Sequence, residues 1–150
     1  RHKSRYDLEY IWLISSDRDW DLLIQEKVGR FSYVTRKEVR LDNWKEHYDI
    51  PPELYISMKC LTGDKGDNVA GIPGIGPKRA TQLIEQYGDA MDIYGAVPIS
   101  SRYKYIQSLN QNAEQLLVNY ELMDLITYCD DAIGADNIED IGRVINEYRN

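Results

Sequence analysis

Two pairs of carboxylates stand out by spacing. Asp17 and Asp19 follow the apolar run Tyr10-Ile11-Trp12-Leu13-Ile14, separated from it only by Ser15-Ser16. Two residues apart on an extended chain, both acids face one way and can share a cation. Loops at the ends of strands in α/β sheets are also where ligand sites form. A second reading stays open, in which Ser16 or Asp17 caps a following helix. Asp64 and Asp67 lie in Gly63-Asp64-Lys65-Gly66-Asp67-Asn68, three apart with glycine beside each, so a helical turn or tight loop aims them alike. Such oxygen donors suit Mg²⁺ or Mn²⁺, whereas zinc prefers His and Cys, and His2 and His47 are too scattered to compete. Carboxylates gathered together raise one another's pKa unless a cation compensates them. The pattern therefore predicts a phosphate-processing centre.

A few residues after the second pair comes Gly71-Ile72-Pro73-Gly74-Ile75-Gly76-Pro77-Lys78-Arg79-Ala80. Pro77 suits the first turn of a helix, where a missing N–H costs nothing. Gly74 and Gly76 permit positive φ and close approach of another backbone, and Ile72 and Ile75 can plug the turn into flanking helices. The N–H groups at that helix start, with the helix dipole, make an anion site for a DNA phosphate, and Lys78 and Arg79 add charge. A generic glycine-rich turn is the alternative. The segment resembles the helix-hairpin-helix of polymerases, ligases, glycosylases and nucleases, which grips duplex backbone without reading sequence.

Elements must carry these residues. Residues 10–14 read as a buried strand ending in a polar turn, 19–27 as a short helix stopping at Gly29, and 30–35 and 38–41 as two short strands. Residues 1–50 are thus expected to be an α/β portion. From Pro51 the pattern turns helical, through Leu54, Tyr55, Met58 and Leu61, and no further strand is expected. An ordered loop over 63–76 leads into a helix over 77–87 that Gly88 ends. Further helices are expected over 101–109, 112–125 and 138–148. The expected class is α/β: a small sheet portion over 1–50, then a mainly helical DNA-binding region over 51–150 with the hairpin motif at about 58–87.

The 150 residues carry 18 Lys+Arg and 25 Asp+Glu, a net charge of −7, which excludes a non-specific polycation. The longest apolar runs fall far short of the roughly 20 residues a membrane helix needs. Cys60 and Cys129 stand in unrelated contexts, which supports neither a disulfide scaffold nor a zinc site and fits a reducing cytoplasm. The chain starts at Arg1 without a targeting pattern, and the front of a longer protein is expected to be absent. Most of the 12 tyrosines, Tyr55 and Tyr120 among them, suit core-edge positions with a hydrogen-bonded hydroxyl better than base stacking.

The order LISSDRDWD at 13–21, then MKCLTGDKGDNVAGIPGIGPKRA at 58–80 and NAEQLLVNYELMDLITYCDDAI at 112–133, resembles the 5′ nuclease superfamily. That superfamily comprises flap endonucleases and the 5′→3′ exonuclease domains of bacterial DNA polymerase I, and the likeness is greatest to its T5-type bacteriophage exonucleases. The resemblance runs through nearly the whole chain, as the C-terminal half of such an enzyme. It implies a structure-specific 5′ nuclease that hydrolyses DNA phosphodiesters by a metal-activated water between two cations. By the same resemblance Asp17, Asp19, Asp64 and Asp67 match catalytic carboxylates of one metal position. Gly74, Gly76, Lys78, Arg79 and Lys59 match residues at or near the DNA backbone, with K⁺ at the hairpin and Mg²⁺ or Mn²⁺ as the catalytic ion. Arg102 and Lys104 extend the cationic strip, and Asp21 reads as a supporting acid.

Two departures accompany the likeness. Arg18 stands where phage-type relatives carry glycine and polymerase-type relatives lysine, and is read as solvent-facing, with a phosphate contact as the alternative. The family's first metal cluster and helical arch belong to an N-terminal half outside this sequence, so the chain alone is expected to be inactive or weakly active. Expected partners are branched or flapped duplex DNA with 5′ ends and that N-terminal half, with no membrane, as a monomer in the bacterial or phage-infected cytoplasm. The competing readings are a non-catalytic duplex-binding module and a helical interaction protein that binds partners without DNA.

Overall fold

The computed structural model describes residues 7–148, so His2 lies outside it. The chain divides into two compact units, one made of residues up to His47 together with Leu125 onward, the other of Tyr48–Asp124.

In the first unit, β1 (Ile11–Ile14) runs parallel to β2 (Val28–Ser32), which pairs antiparallel with β3 (Lys37–Val39). Among the described residues the order β1-β2-β3 leaves β1 at an edge. That placement corrects the expectation of a buried strand: Trp12 and Ile14 are 41% and 56% exposed, because only alternate residues of an edge strand turn inward. The expected helix over 19–27 is instead a 3-10 helix, Arg18–Leu23, ending at an extended Ile24. Gln25 makes an isolated bridge to Val28, and β2 starts at Val28, so the chain has entered the sheet before Gly29. Gly29 lies within β2, where a Cβ would come 2.8 Å from the Tyr10 hydroxyl and 3.0 Å from the Trp12 ring. It is there to admit two aromatic rings.

In the second unit α1 (Tyr55–Thr62) packs against three later helices, α2 (Pro77–Tyr87), α3 (Ala90–Ala96) and α5 (Glu114–Met123). The fully buried Leu61, Ile93, Leu109 and Leu116 form the centre, with Leu109 supplied by α4 (Lys104–Gln111). Against expectation, this unit also contains strands: β4 (Gly63–Asp64) and β5 (Val69–Ala70) make a short antiparallel hairpin. Helix α3 was also unexpected. Gly88 does end α2, but Asp89 immediately starts the next helix through a capping box with Asp92. The chain closes with α6 (Cys129–Ile133), unforeseen in the sequence, and α7 (Ala135–Glu147). Among the described residues no helix is long and apolar enough to cross a membrane.

Candidate metal and phosphate sites

Asp17 and Asp19 follow the end of β1, but only Asp17 has extended backbone; Asp19 already lies in the 3-10 helix. Asp17 is the N-cap of the 3-10 helix, its Oδ1 accepting the Asp19 N–H at 2.9 Å, and its own N–H donates to Ser15 Oγ at 3.1 Å. The capping alternative therefore holds for one Asp17 oxygen, while Asp17 and Arg18 are exposed and Asp19 half-buried. The turn is anchored from below. Asp21 is buried against Arg30 of β2, whose Nη2 donates to Asp21 Oδ2 at 2.9 Å and whose Nη1 donates to the Ser15 carbonyl at 3.1 Å. One guanidinium thus ties strand, turn and helix together; Asp21 supports the loop from within the unit.

Asp64 and Asp67 lie on the hairpin of the second unit, Asp64 as the last residue of β4 opposite Val69. Asp64 Oδ1 accepts the Gly66 N–H at 2.8 Å, and Oδ2 accepts from Lys59 Nζ at 2.7 Å. Lys59 is buried, its side chain 10% exposed, so its ammonium is turned onto the carboxylate. The Lys59 hydrogen bond above all, with its charge and the Gly66 and Asp67 amides, holds the Asp64 carboxyl below the usual range against a smaller opposing effect of burial. Asp64 is thereby kept ionised and oriented, and Asp67 is exposed.

The hairpin is built onto the end of α1. A helix leaves its last carbonyls unpaired, and here the Lys59 carbonyl accepts the Gly63 N–H, the Leu61 carbonyl accepts the Ile72 N–H at 2.9 Å, and the Cys60 carbonyl accepts Asn119 Nδ2 at 2.8 Å. The same Asn119 amide donates to the Ala70 carbonyl at 2.8 Å. Gly63 (φ +71) and Gly71 touch here, since a Cβ on Gly63 would fall 2.3 Å from the Gly71 nitrogen. These contacts seat the acidic loop and the following glycine turn on one support.

In that turn Ile72 and Ile75 are buried as expected, at 2% and 5% exposure. Gly74 has φ +81, but Gly76 has φ −101, so only the first uses glycine's conformational freedom. Gly76 is the N-cap of α2, Pro77 occupies the first turn, and no side chain caps the helix. A Cβ on Gly76 would meet nothing within 4 Å. Lys78 is exposed at this start. Arg79 turns back, its Nη1 donating to the Gly74 carbonyl at 2.6 Å and its Cζ lying 4.6 Å from the centre of the Tyr105 ring.

Residues 50–142 match the family described as 5′-3′ exonuclease, C-terminal SAM fold. The chain belongs to this 5′-3′ exonuclease family. It is 46% identical over 128 residues to the flap endonuclease of Escherichia phage T5, covering 85% of this chain and 44% of the relative. It is 30% identical over 122 residues to a 5′-3′ exonuclease of Halalkalibacterium halodurans, covering 79% of this chain and 40% of the relative. Among solved structures it is similar to the T5 5′-exonuclease (TM-score 0.82, 43% identity, 93% of this chain and 58% of that one). A T5 flap endonuclease solved as a pseudo-enzyme-product complex with DNA and metal ions is similar too (TM-score 0.84, 41% identity, 95% and 54%). This 5′-3′ exonuclease family chain thus spans less than half the length of these curated relatives.

Reading the sequence missed Arg30, Asn119 and Tyr105. Arg30 stands in a strand pattern where an inward cation breaks the alternation, which is a signal in retrospect; Asn119 and Tyr105 look like ordinary residues of amphipathic helices.

Proposed function

We propose that this chain supplies the DNA-gripping share, and part of the metal-binding share, of a structure-specific 5′ nuclease that hydrolyses DNA phosphodiesters. The observation that carries the reading is the segment Gly63–Lys78, which sets an acidic hairpin and an uncapped helix start in immediate succession on the end of one helix. An anionic backbone and a cation that balances it are what these two halves would take.

The fit to a divalent cation is chemical. Asp64 offers ionised, all-oxygen ligation already pre-oriented by Lys59 and Gly66, and one of its oxygens already faces a cationic group. Asp64 and Asp67 would hold Mg²⁺ or Mn²⁺, and by family membership Asp17 and Asp19 would serve the same chemistry. A bound divalent ion supplies charge stabilisation to the attacking and leaving oxygens of phosphodiester hydrolysis. At the turn, the Lys78 and Arg79 N–H groups lie at an uncapped helix start. There they would donate to a phosphate, with the Lys78 side chain adding charge and Gly76 leaving room for the approach. The Gly74 carbonyl already has a cationic partner in Arg79, and K⁺ is proposed only at other carbonyls of the turn. The substrate proposed is flapped or branched duplex DNA with 5′ ends. Full activity is expected when the remaining portion found in the longer relatives is supplied, in the cytoplasm of a bacterial or phage-infected cell.

The test is duplex binding by anisotropy, followed by Mg²⁺-dependent cleavage of a labelled 5′-flap, for the chain alone and mixed with a polypeptide corresponding to the remainder of a relative. Binding should fall steeply with salt. Lys78→Ala should lower the slope of log K against log[salt] by about one. Asp64→Asn and Asp67→Asn should abolish cleavage by the mixture while leaving duplex affinity within about two-fold. Absence of duplex binding at low salt would remove the phosphate reading, and full cleavage by the Asp64→Asn mixture would remove the ligand assignment.

A further inference from the structure

Arg79 and Tyr105 form a unit that the proposed phosphate contact does not account for. An arginine at a DNA-binding helix start is expected to point at phosphate, yet this one reaches five residues back to the Gly74 carbonyl, at 2.6 Å. Its guanidinium lies over the Tyr105 ring, 4.6 Å from its centre, and the Tyr103 ring stacks on Tyr105 at 5.8 Å and 24°. The Tyr105 backbone closes on the same turn: a Cβ on Gly74 would lie 3.7 Å from Tyr105 Cβ. The peptide that Arg79 holds joins Gly74 to Ile75, whose N–H donates to the Ile72 carbonyl at 3.0 Å. One peptide plane is therefore pinned at both ends, by a guanidinium on its oxygen and a carbonyl on its nitrogen.

We infer that Arg79 is a positioning residue, and that Tyr105 is the platform that keeps it on the Gly74 carbonyl. The inference rests on the phosphate reading of the α2 start. A carbonyl beside an anion site opposes binding unless a cation covers it, and positive φ at Gly74 permits the peptide to turn. Arg79 covers that oxygen and fixes the plane, so the direction of the N–H groups that follow is set before a ligand arrives. Tyr105 contributes a face that attracts guanidinium better than ammonium, because a planar cation stacks on the ring while its edge donates. The donor edge and the face of the Arg79 guanidinium are thus engaged within the protein, and Lys78 is the side chain left to contact a phosphate.

The salt dependence of binding separates this from a direct contact, since each neutralised phosphate contributes about 0.9 to the slope. Arg79→Ala and Tyr105→Leu in the full chain should each weaken binding to a 20-mer-class duplex roughly five-fold, the scale of one cation–π contact. Both should leave the salt slope unchanged, whereas Lys78→Ala lowers it. Tyr105→Phe should bind like wild type, and Arg79→Lys should not rescue. Amide hydrogen exchange at Ile75 should quicken in Arg79→Ala, Arg79→Lys and Tyr105→Leu and stay at the wild-type rate in Tyr105→Phe and Lys78→Ala. A slope reduced by about one in Arg79→Ala, or unchanged affinity in Tyr105→Leu, would overturn the positioning role. If wild type binds no duplex at all, the phosphate reading fails. Ile75 exchange then still decides the brace: quickened exchange supports it and unchanged exchange overturns it.

Discussion

Replacing Asn119 tests the idea that one buried amide holds the acidic hairpin in place. Asn119 is fully buried, its Nδ2 donates at 2.8 Å to both the Cys60 and the Ala70 carbonyls, and its Oδ1 accepts from Gln115 Nε2 at 2.9 Å. Asn119→Leu keeps the branched shape and the number of heavy atoms and removes both N–H donors. The buried Cys60 carbonyl left without this partner costs about 1–3 kcal/mol and the part-buried Ala70 carbonyl less, so the pair should cost about 3 kcal/mol in all. With a urea m-value of about 2 kcal/mol/M, the unfolding midpoint should fall by roughly 1.5 M. Helical circular dichroism is the signal to follow, because all three tryptophans lie in the other unit. Asn119→Ala should lose at least as much, since it adds a cavity to the same unpaired carbonyls. Amide exchange at Ile72, whose N–H bonds the Leu61 carbonyl beside the clamp, should quicken in both. A loss below about 1 kcal/mol in Asn119→Leu would refute the reasoning, because the two carbonyls would then have found other partners.

In the first unit, Asp21→Ala leaves the buried Arg30 guanidinium without its carboxylate, the side chains being 0% and 7% exposed, and should cost about 3–5 kcal/mol. Tryptophan fluorescence unfolding reads this, and adding Arg30→Met should recover most of the loss; no recovery would mean the pair matters for shape rather than charge. Burial pushes the Cys60 thiol from 9.0 up to about 12. A group raised on folding adds stability that is full below its unfolded value and is lost as pH rises through the folded one, so Cys60 should erode stability between about pH 9 and 12. Cys60→Ala should flatten that alkaline limb, and alkylation of the native chain at pH 8 should label Cys129 and spare Cys60.

Much of the local geometry was legible in the residues alone. Spacing picked out Asp64 and Asp67 with glycines beside them, and Gly74 and Pro77 before a helix, because turn geometry and helix starts are local: they depend on φ preferences and missing N–H groups that each residue type carries anywhere. The small sheet and the helices at 77–87 and near 104–123 followed from periodicity for the same reason. Likeness to the family, in which membership is shown, is what groups the four carboxylates in the proposed metal chemistry.

Tertiary structure decided what those groups are attached to. The helix expected over 19–27 shortened to a 3-10 turn, with Asp21 bonded to Arg30 nine residues on and β2 beginning at Val28. The strand at 11–14 became an exposed edge because its neighbours, not its composition, set its burial. The β4–β5 hairpin is too short for a two-residue period to announce, and it exists because glycines at 63 and 71 let two backbones touch and Asn119 closes them from 49 residues away. Charge alone could not say that Lys59 turns inward onto Asp64, or that Arg79 turns back onto Gly74 and Tyr105. A side chain's type sets what it can bond; which partner it meets is fixed only when distant segments pack and the buried polar groups must all be satisfied.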